Sequence, residues 1–267
     1  MPFLRNLVFG AAKDAVYSLR YAPVGKPTGG ALIVSFPKSG RTWLRAILAK
    51  YLELANGIPS DVDPEGIPES RKTVVLRLPP PAGRIEFNHL VYTLADRRRP
   101  AAVLLRDPRD TLVSSYYWRL RASGRPSRLT ISDFLRSRWG VWRLVRFHNT
   151  MARYLEGRTN VLHLSYEALH EDTAAETRKL LLFLGLSVDP EALSSAISFG
   201  RFEKMQARER TTLRNAEKDV DSLKVRKGKV GGYREELGDE DIAYVERYLD
   251  DHLDRRMRER MLPRGNG

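Results

Sequence analysis

A short apolar run that ends in a turn constrains the fold of this chain more than any other feature. Residues 31–34 are apolar, and residues 35–44 read Ser-Phe-Pro-Lys-Ser-Gly-Arg-Thr-Trp-Leu. This order predicts a buried strand, a tight turn and the start of a helix. The first N–H groups of a helix have no backbone partner, so together with Lys38 and two hydroxyls they favour an anion. The stretch differs from the common nucleotide loop Gly-x-x-x-x-Gly-Lys, because Lys38 precedes Gly40 and the first Gly is absent.

A second strand-to-helix transition lies in residues 103–118. An apolar run ends at Arg106, and Asp107 and Pro108 supply a helix N-cap and a first-turn proline. Arg106 is therefore expected at the carboxyl end of a strand, where open parallel sheets bind ligands. Ser114 follows about two turns into the helix. The alternative is that Arg106 only forms an ion pair with Asp110.

A third segment, residues 226–234, reads Arg-Lys-Gly-Lys-Val-Gly-Gly-Tyr-Arg. It is too rich in glycine and charge for the interior of a helix or strand, so we expect a mobile basic loop. By itself such a run is also typical of a solvated surface.

These three segments, in this order, resemble the donor-binding motifs of the sulfotransferase family, whose donor is 3′-phosphoadenosine 5′-phosphosulfate (PAPS). The resemblance implies that residues 35–44 hold the 5′-phosphosulfate and that Arg106 and Ser114 contact the 3′-phosphate. It also implies that the loop 226–234 closes over that phosphate, where glycine lets backbone N–H groups approach the anion. The product would be adenosine 3′,5′-bisphosphate (PAP), and no metal is expected.

The resemblance assigns a set of donor contacts residue by residue. The residues expected to contact the donor are Lys38, Ser39, Gly40, Arg41, Thr42, Trp43, Arg106, Ser114, Tyr166, Phe202, Arg226, Lys227 and Gly228. Lys38 is also expected to be catalytic, by neutralising the bridging oxygen as the sulfur–oxygen bond breaks. Trp43, Tyr166 and Phe202 are expected at the adenine. Trp43 and Phe202 also fit the alternative of aromatic residues packed in a helix core.

His89 is the expected general base. It lies between the two phosphate motifs, where the family has its base in a Lys-Thr-His-Leu-Pro element. The alternative is a structural histidine. Phe87 stands where the family has the lysine of this element, so one cation is missing. Arg41 or Arg77 would restore that charge, and the sequence leaves the choice open.

Length and periodicity predict a single α/β domain. The 267 residues, of which 42% are hydrophobic, suffice for one sizeable core. Strands alternate with helical segments, which favours a P-loop-like three-layer domain with a central parallel sheet of about five strands flanked by helices. We expect this domain over residues 31–262, an amphipathic helix and linker over residues 1–30, and a tail over residues 263–267. Helices are predicted over residues 131–155, with a break near Gly140, and over residues 239–261 without a break.

Composition narrows the partners. The formal net charge of +13 fits an anionic donor, and the remaining arginines, among them Arg119 and Arg138, are expected on solvated faces or attracting an acidic acceptor. The chain has no cysteine, which excludes disulfides and thiolate metal sites and fits a cytoplasmic location. The acceptor is expected to be a small molecule, a lipid or a glycan. Residues 1–20 would pack on the domain or, alternatively, contact a membrane surface. The oligomeric state stays open.

Two other function classes compete with this reading. A P-loop kinase or NTPase would need Mg²⁺ ligands, normally a hydroxyl after Gly-Lys and a strand ending in Asp, and neither is cleanly present. A non-catalytic polyanion-binding protein would use the basic surface alone, with steep salt dependence and no preference for PAP. No stretch matches a module that reads nucleic-acid bases, so nucleic acid is not an expected partner.

Overall fold

A five-stranded sheet forms the centre of the protein in the computed structural model, which describes residues 30–58, 73–79, 83–123, 129–211 and 227–262. The strands run in the spatial order β2-β3-β1-β4-β5. They are β1 (Ala31–Ser35), β2 (Thr73–Arg77), β3 (Arg84–Asn88), β4 (Ala101–Leu105) and β5 (Val161–Ser165). The α/β class and the strand number are confirmed.

Ten helices lie in the described part of the chain. They are α1 (Arg41–Asn56), α2 (Pro108–Ser123), α3 (Ile131–Arg136), α4 (Val141–Leu155), α5 (Tyr166–Glu171), α6 (Thr173–Phe183), α7 (Pro190–Phe199), α8 (Phe202–Thr211), α9 (Asp239–His252) and α10 (Arg255–Met261). Two short 3-10 turns, Val91–Ala95 and Gly232–Glu235, complete the set. Each helix too short to be stable alone is held by tertiary packing.

Helices cover both faces of the sheet. In β1 and β4 the side chains alternate between two buried clusters, so that Ile33 and Leu104 face one side while Leu32 and Val103 face the other. All five residues of β1 are buried, as expected for a parallel strand covered on both faces. Helices α1, α6 and α7 line the first cluster, and α2, α4 and α9 line the second. This is the three-layer architecture that the alternating strands and helices predict.

The edge strand β2 departs from the expected parallel sheet. Strands β3, β1, β4 and β5 run parallel to one another, whereas β2 pairs antiparallel with β3. The short connection from β2 to β3 explains this, because a parallel pair needs a crossover of a dozen or more residues. The strand pattern over 73–77 could not show the direction, since side-chain alternation is the same in both.

The carboxyl ends of the parallel strands form one edge of the sheet. β1 lies between β3 and β4, so the connection after β1 leads to one side of it and the connection after β3 leads to the other. Open sheets bind ligands where the strand order reverses in this way. The turn with Lys38 follows β1, His89 follows β3, Arg106 follows β4 and Tyr166 follows β5. The candidate residues therefore gather at a single edge.

Helix ends agree with the sequence in one place and differ in another. The expected break near Gly140 is present, because the chain turns there between α3 and α4 and a Cβ on Gly140 would lie 2.2 Å from the Leu135 carbonyl oxygen. The expected unbroken helix over residues 239–261 is wrong. It ends at His252, and Asp254 caps α10 by accepting hydrogen bonds from the backbone N–H groups of Arg256 and Met257. A capping Asp inside a helical pattern gives the chain a local alternative to continuing the helix.

The expected segments at the two termini, residues 1–29 and 263–267, lie outside the described residues. Among the residues that are described, no helix has both the length and the apolar composition needed to cross a bilayer.

Replacing the cap of α10 should measure its contribution. We expect Asp254→Ala to lower the free energy of unfolding by about 1 kcal/mol, because two helix N–H groups lose their acceptor. Asp254→Asn should retain most of the stability, since its side-chain oxygen still accepts. Chemical denaturation measures both, with the exposed Asp251→Ala on α9 as the matched control; an equal loss in that control would contradict a capping role.

Candidate functional site

The turn between β1 and α1 has backbone angles that suit it to anion binding. Lys38 has φ +74°, in the left-handed region that non-glycine residues seldom occupy, and Gly40 has φ +92°. Gly40 precedes α1 and offers its first N–H groups no side-chain acceptor. A Cβ at Gly40 would lie 2.5 Å from the Tyr166 ring, so only glycine fits. The N-terminus of α1 is therefore left to be satisfied by water or an anion.

Arg106 connects three segments that are far apart in sequence. Its guanidinium donates from Nη1 to the Lys38 carbonyl oxygen at 3.0 Å and from Nη2 to the Lys229 carbonyl oxygen at 3.3 Å. It also lies 4.2 Å from the centre of the Tyr166 ring. Its Nε is buried and has no hydrogen-bond partner among the described residues. The structure thus brings together the first two phosphate motifs and the basic loop.

Asp110 anchors the basic loop, whereas the sequence suggests it only as an ion-pair partner of Arg106. Its two carboxylate oxygens accept hydrogen bonds from the backbone N–H groups of Gly231 and Tyr233, both at 2.8 Å. The Arg106 Nη2 lies 3.9 Å away, so the ion pair named as an alternative is present but long. Asp110 lies in the first turn of α2. The loop that it holds comes 121 residues later in the chain, so no local sequence signal shows this role.

The residues expected at the adenine also come together. The rings of Trp43 and Tyr166 meet edge to face at 5.7 Å, and the Tyr166 hydroxyl donates to the Gly228 carbonyl at 3.1 Å. A Cβ on Gly228 would lie 2.3 Å from the Phe202 ring, so the loop backbone packs directly against that ring. Trp43 also packs partly against the core, which fits the alternative interpretation of this residue, while its contact with the adenine stays a prediction.

Of three other residues that are expected to contact the donor, the structure describes two. Ser114 lies on α2 without a hydrogen bond to Arg106 in the described chain. Lys227 reaches a carboxylate oxygen of Glu236 at 2.7 Å. Arg226 lies outside the described residues.

His89 is held as a neutral imidazole with a defined tautomer. Its Nδ1 lies 2.7 Å from the Ser35 carbonyl oxygen. A carbonyl can only accept, so Nδ1 carries the proton and Nε2 keeps its lone pair. Burial, then the positive charge of Arg41, and more weakly those of Arg143 and Lys38, lower the pKa of His89 to about 3, against the opposing hydrogen bond to Ser35.

Arg41 supplies a cation beside His89. Its Nη1 is buried without a hydrogen-bond partner in the part of the chain that the structure describes. Burial, followed by the charge of Arg45, lowers the pKa of Arg41 to about 10. Phe87 is fully buried in the core, so a side chain at its position points away from this edge.

Strand direction separates the two candidates for the missing charge. Because β2 is antiparallel, Arg77 pairs with Arg84 at the start of β3, whereas Thr73 pairs with Asn88 beside His89. Arg77 is therefore at the amino edge of the parallel strands, about five residues of extended chain away from His89. Of the two candidates, only Arg41 lies near His89.

The described residues contain no group of three or more histidine and carboxylate side chains arranged to hold a metal ion.

Comparison with known proteins gives one family. The family model for the sulfotransferase domain matches residues 87–258. Sulfotransferase 2B1 of Rattus norvegicus is 32% identical over 194 residues, which cover 66% of this chain and 55% of that protein. The human protein of the same name is 30% identical over 193 residues, covering 66% of this chain and 51% of it. This chain thus spans about half the length of the curated relatives that it matches first.

Solved structures show the same fold. The crystal structure of mouse sulfotransferase SULT7A1 complexed with PAP has a TM-score of 0.60 at 20% identity, covering 84% of each chain. The structure of retinol dehydratase in a complex with retinol and PAP has a TM-score of 0.59 at 20% identity, covering 88% of this chain and 84% of the other.

Replacing Asp110, which anchors the basic loop, should test whether this loop contributes to the binding of PAP. We expect Asp110→Ala to lower the free energy of unfolding by about 2–4 kcal/mol, because two charge-assisted hydrogen bonds are lost. Its affinity for PAP, measured by calorimetry, should also fall. Asp110→Asn should lose less of both, since one oxygen remains. The exposed Asp239→Asn serves as control, and unchanged PAP affinity in Asp110→Ala would refute a role of the loop in binding.

Titration should distinguish Arg41 from Arg77. Since a nearby cation disfavours the imidazolium, Arg41→Gln should raise the pKa of His89 by about one unit, and Arg77→Gln should leave it unchanged. Adding PAP to the unmutated protein should also raise this pKa, because its phosphates offset the cations. NMR of ring-labelled histidine measures the pKa, with His89→Gln to assign the signal. A His89 resonance that titrates near pH 6.5, the ordinary value for histidine, in the unmutated protein would contradict the lowered pKa.

Proposed function

Since this chain belongs to the sulfotransferase domain family, we propose that it moves a sulfuryl group from PAPS to an acceptor hydroxyl. The observation that carries the proposal is the contact of Arg106 with both the turn after β1 and the basic loop, beside a neutral His89. These are the three segments whose order along the chain resembles the family's donor motifs. The two solved structures of similar fold are complexes with PAP, which supports a donor of this nucleotide class.

The residues at the sheet edge fit such a donor. Within the described ranges, Arg106 keeps a buried Nε without a partner and Arg41 keeps a buried Nη1 without one, so both have a donor hydrogen available for an anionic oxygen. Left unmet, buried polar groups of this kind cost stability. The uncapped start of α1 adds N–H groups to the same edge. We propose that Lys38, Thr42 and α1 hold the 5′ end and that Arg106 and the basic loop hold the 3′-phosphate.

The aromatic residues beside this edge would bind the base. Trp43 and Phe202 lie on either side of the Tyr166–Gly228 contact. Aromatic faces bind a purine by stacking, which needs no specific hydrogen bond. The nucleoside would then lie on the α1 side of the sheet, where Trp43 packs.

His89 would act as general base through Nε2. PAPS, when bound, supplies the sulfuryl group that the acceptor oxygen takes over. As that oxygen bonds to sulfur, its proton passes to Nε2, and the imidazolium is stabilised by the hydrogen bond from Nδ1 to the Ser35 carbonyl. Donor anions offset the charge of Arg41 and Lys38, so the basicity of His89 rises when the site is filled.

The cations would stabilise negative charge in the reaction and would not transfer protons. Sulfuryl transfer resembles phosphoryl transfer, in which positioning and electrostatics carry most of the catalysis. We propose that Lys38 stabilises the charge that develops on the leaving oxygen. Arg41 takes the place of the family's lysine next to the transferred group, because it is the cation with the strongest influence on His89.

The acceptor class is proposed from the relatives' names. One relative is the 3-beta-hydroxysteroid sulfotransferase of Cavia porcellus, 28% identical over 226 residues that cover 76% of each chain. A small molecule with a hydroxyl group is therefore the acceptor that we propose; the lipid and glycan acceptors and the cytoplasmic location stay predictions from the sequence.

Transfer of labelled sulfate tests the proposal. With [³⁵S]PAPS and a panel of hydroxyl compounds, we expect transfer that survives EDTA and that falls by about 10²–10⁴-fold in His89→Gln, because general-base catalysis is lost. The affinity of His89→Gln for PAP should stay unchanged, since the imidazole is expected to touch the acceptor.

The control for this variant is His252→Gln, on an exposed turn of α9. Full transfer activity in His89→Gln would remove it as the base. Loss of transfer on adding EDTA would favour the kinase alternative, and polyanion binding without preference for PAP would favour the binding protein.

A further inference from the structure

Three arginines from separate elements surround one tryptophan next to the candidate base. The guanidinium carbon lies 4.5 Å from the centre of the Trp139 ring for Arg119, 5.0 Å for Arg138 and 5.4 Å for Arg143. Arg119 comes from α2, Arg143 from α4, and Arg138 from the turn between α3 and α4. We call these four residues the arginine wall. Arg119 and Arg143 are half-buried.

In the described part of the chain, no carboxylate neutralises the three arginines of the wall. Within the described ranges, none of the three guanidinium groups makes an ion pair or a hydrogen bond, whereas the guanidinium of Arg109 reaches Asp107 at 2.7 Å and Glu246 at 2.6 Å. Burial and the charge of Arg119 lower the pKa of Arg143. Like charges held this close without a carboxylate cost stability, and such an arrangement is typical of a site that binds an anion.

The wall adjoins His89 on the side away from the proposed nucleoside site. Arg143 is close enough to lower the pKa of His89, and it lies 5.7 Å from the ring of Phe36. Phe36 directly follows Ser35, whose carbonyl holds His89. Phe36 and Trp139 pack on the α2 and α4 face of the sheet, whereas Trp43 packs on the α1 face. A donor bound between Lys38, Arg106 and Trp43 therefore leaves the wall to the other reactant.

From this placement we infer that the acceptor carries an anionic group, a carboxylate, sulfonate or phosphate ester, which binds Arg143 and Arg119 while its hydroxyl faces His89. This inference rests on the proposed function and names its substrate class. Arginine suits the task because its planar donors match oxyanions in pairs. Such an acceptor differs in charge from the hydroxysteroid named for a relative.

Matched acceptor pairs test this inference. One pair is 6-hydroxy-2-naphthoate and 2-naphthol, the other glucose 6-phosphate and glucose, so that the arms separate carboxylate from phosphate and aryl from sugar. Calorimetry with the protein saturated with PAP should show at least tenfold tighter binding of the anionic member of one pair, since a charge-assisted contact is added. Transfer from [³⁵S]PAPS should show the same preference in kcat/KM.

Variants of the wall locate the effect. Arg143→Gln and Arg119→Gln should each reduce the binding of the anionic member about tenfold while leaving the neutral member and PAP unchanged. Arg143→Lys should keep part of the preference. Arg153→Gln, near the exposed end of the same helix α4, is the matched control, and thermal unfolding verifies that every variant folds.

Each outcome decides between the inference and the function on which it rests. Equal binding of both members of both pairs, or an unchanged preference in Arg143→Gln, would overturn the inference and show that the wall is neutralised from within the chain. A fall in PAP affinity in Arg143→Gln would overturn it too, by assigning the wall to the donor. Failure of the unmutated protein to bind PAP would instead refute the proposed function.

Discussion

The contacts of the Arg106 guanidinium are the interaction on which the rest of the site depends. A buried cation needs hydrogen-bond acceptors, and Arg106 finds them in the backbone carbonyls of Lys38 and Lys229 rather than in a close carboxylate. It therefore joins the turn after β1 to the basic loop without cancelling its own charge. Asp110, 3.9 Å away, holds the loop by its backbone instead. The result is a preorganised positive site, in which little reorganisation is needed when an anion arrives.

Burial and nearby positive charge together determine the state of His89. Burial lowers the pKa of the imidazole most, and the charges of Arg41, Arg143 and Lys38 lower it further, so the ring is neutral. The Ser35 carbonyl keeps the proton on Nδ1 and leaves Nε2 as the acceptor. A base with such a low pKa is weak, and it gains strength only when bound anions compensate the arginines. In the function that we propose, donor binding and proton abstraction would thereby be coupled through the electrostatics of one small region.

Sequence reasoning succeeded where the physical signal is local. The strand, turn and helix around Lys38 are encoded within ten residues, and Asp107 with Pro108 marks the start of α2 after Arg106. It failed where the signal is distant. Nothing within 73–77 tells an antiparallel edge strand from a parallel one, and nothing around Asp110 shows that its partners are Gly231 and Tyr233. The break at Asp254 was missed because apolar spacing continues through it, while a single capping side chain ends the pattern.

By itself, the amino-acid sequence determined the α/β class and pointed to the turn after β1 and to the candidates Lys38, His89 and Arg106, because each depends on neighbours in the chain. The tertiary structure alone decided which cations lie near His89. Strand direction removes Arg77 to the far edge and leaves Arg41 beside His89. Helix packing brings Arg119 and Arg143 from separate elements to one tryptophan ring. Charges act through space, so their effect is set by distances that only the folded chain defines.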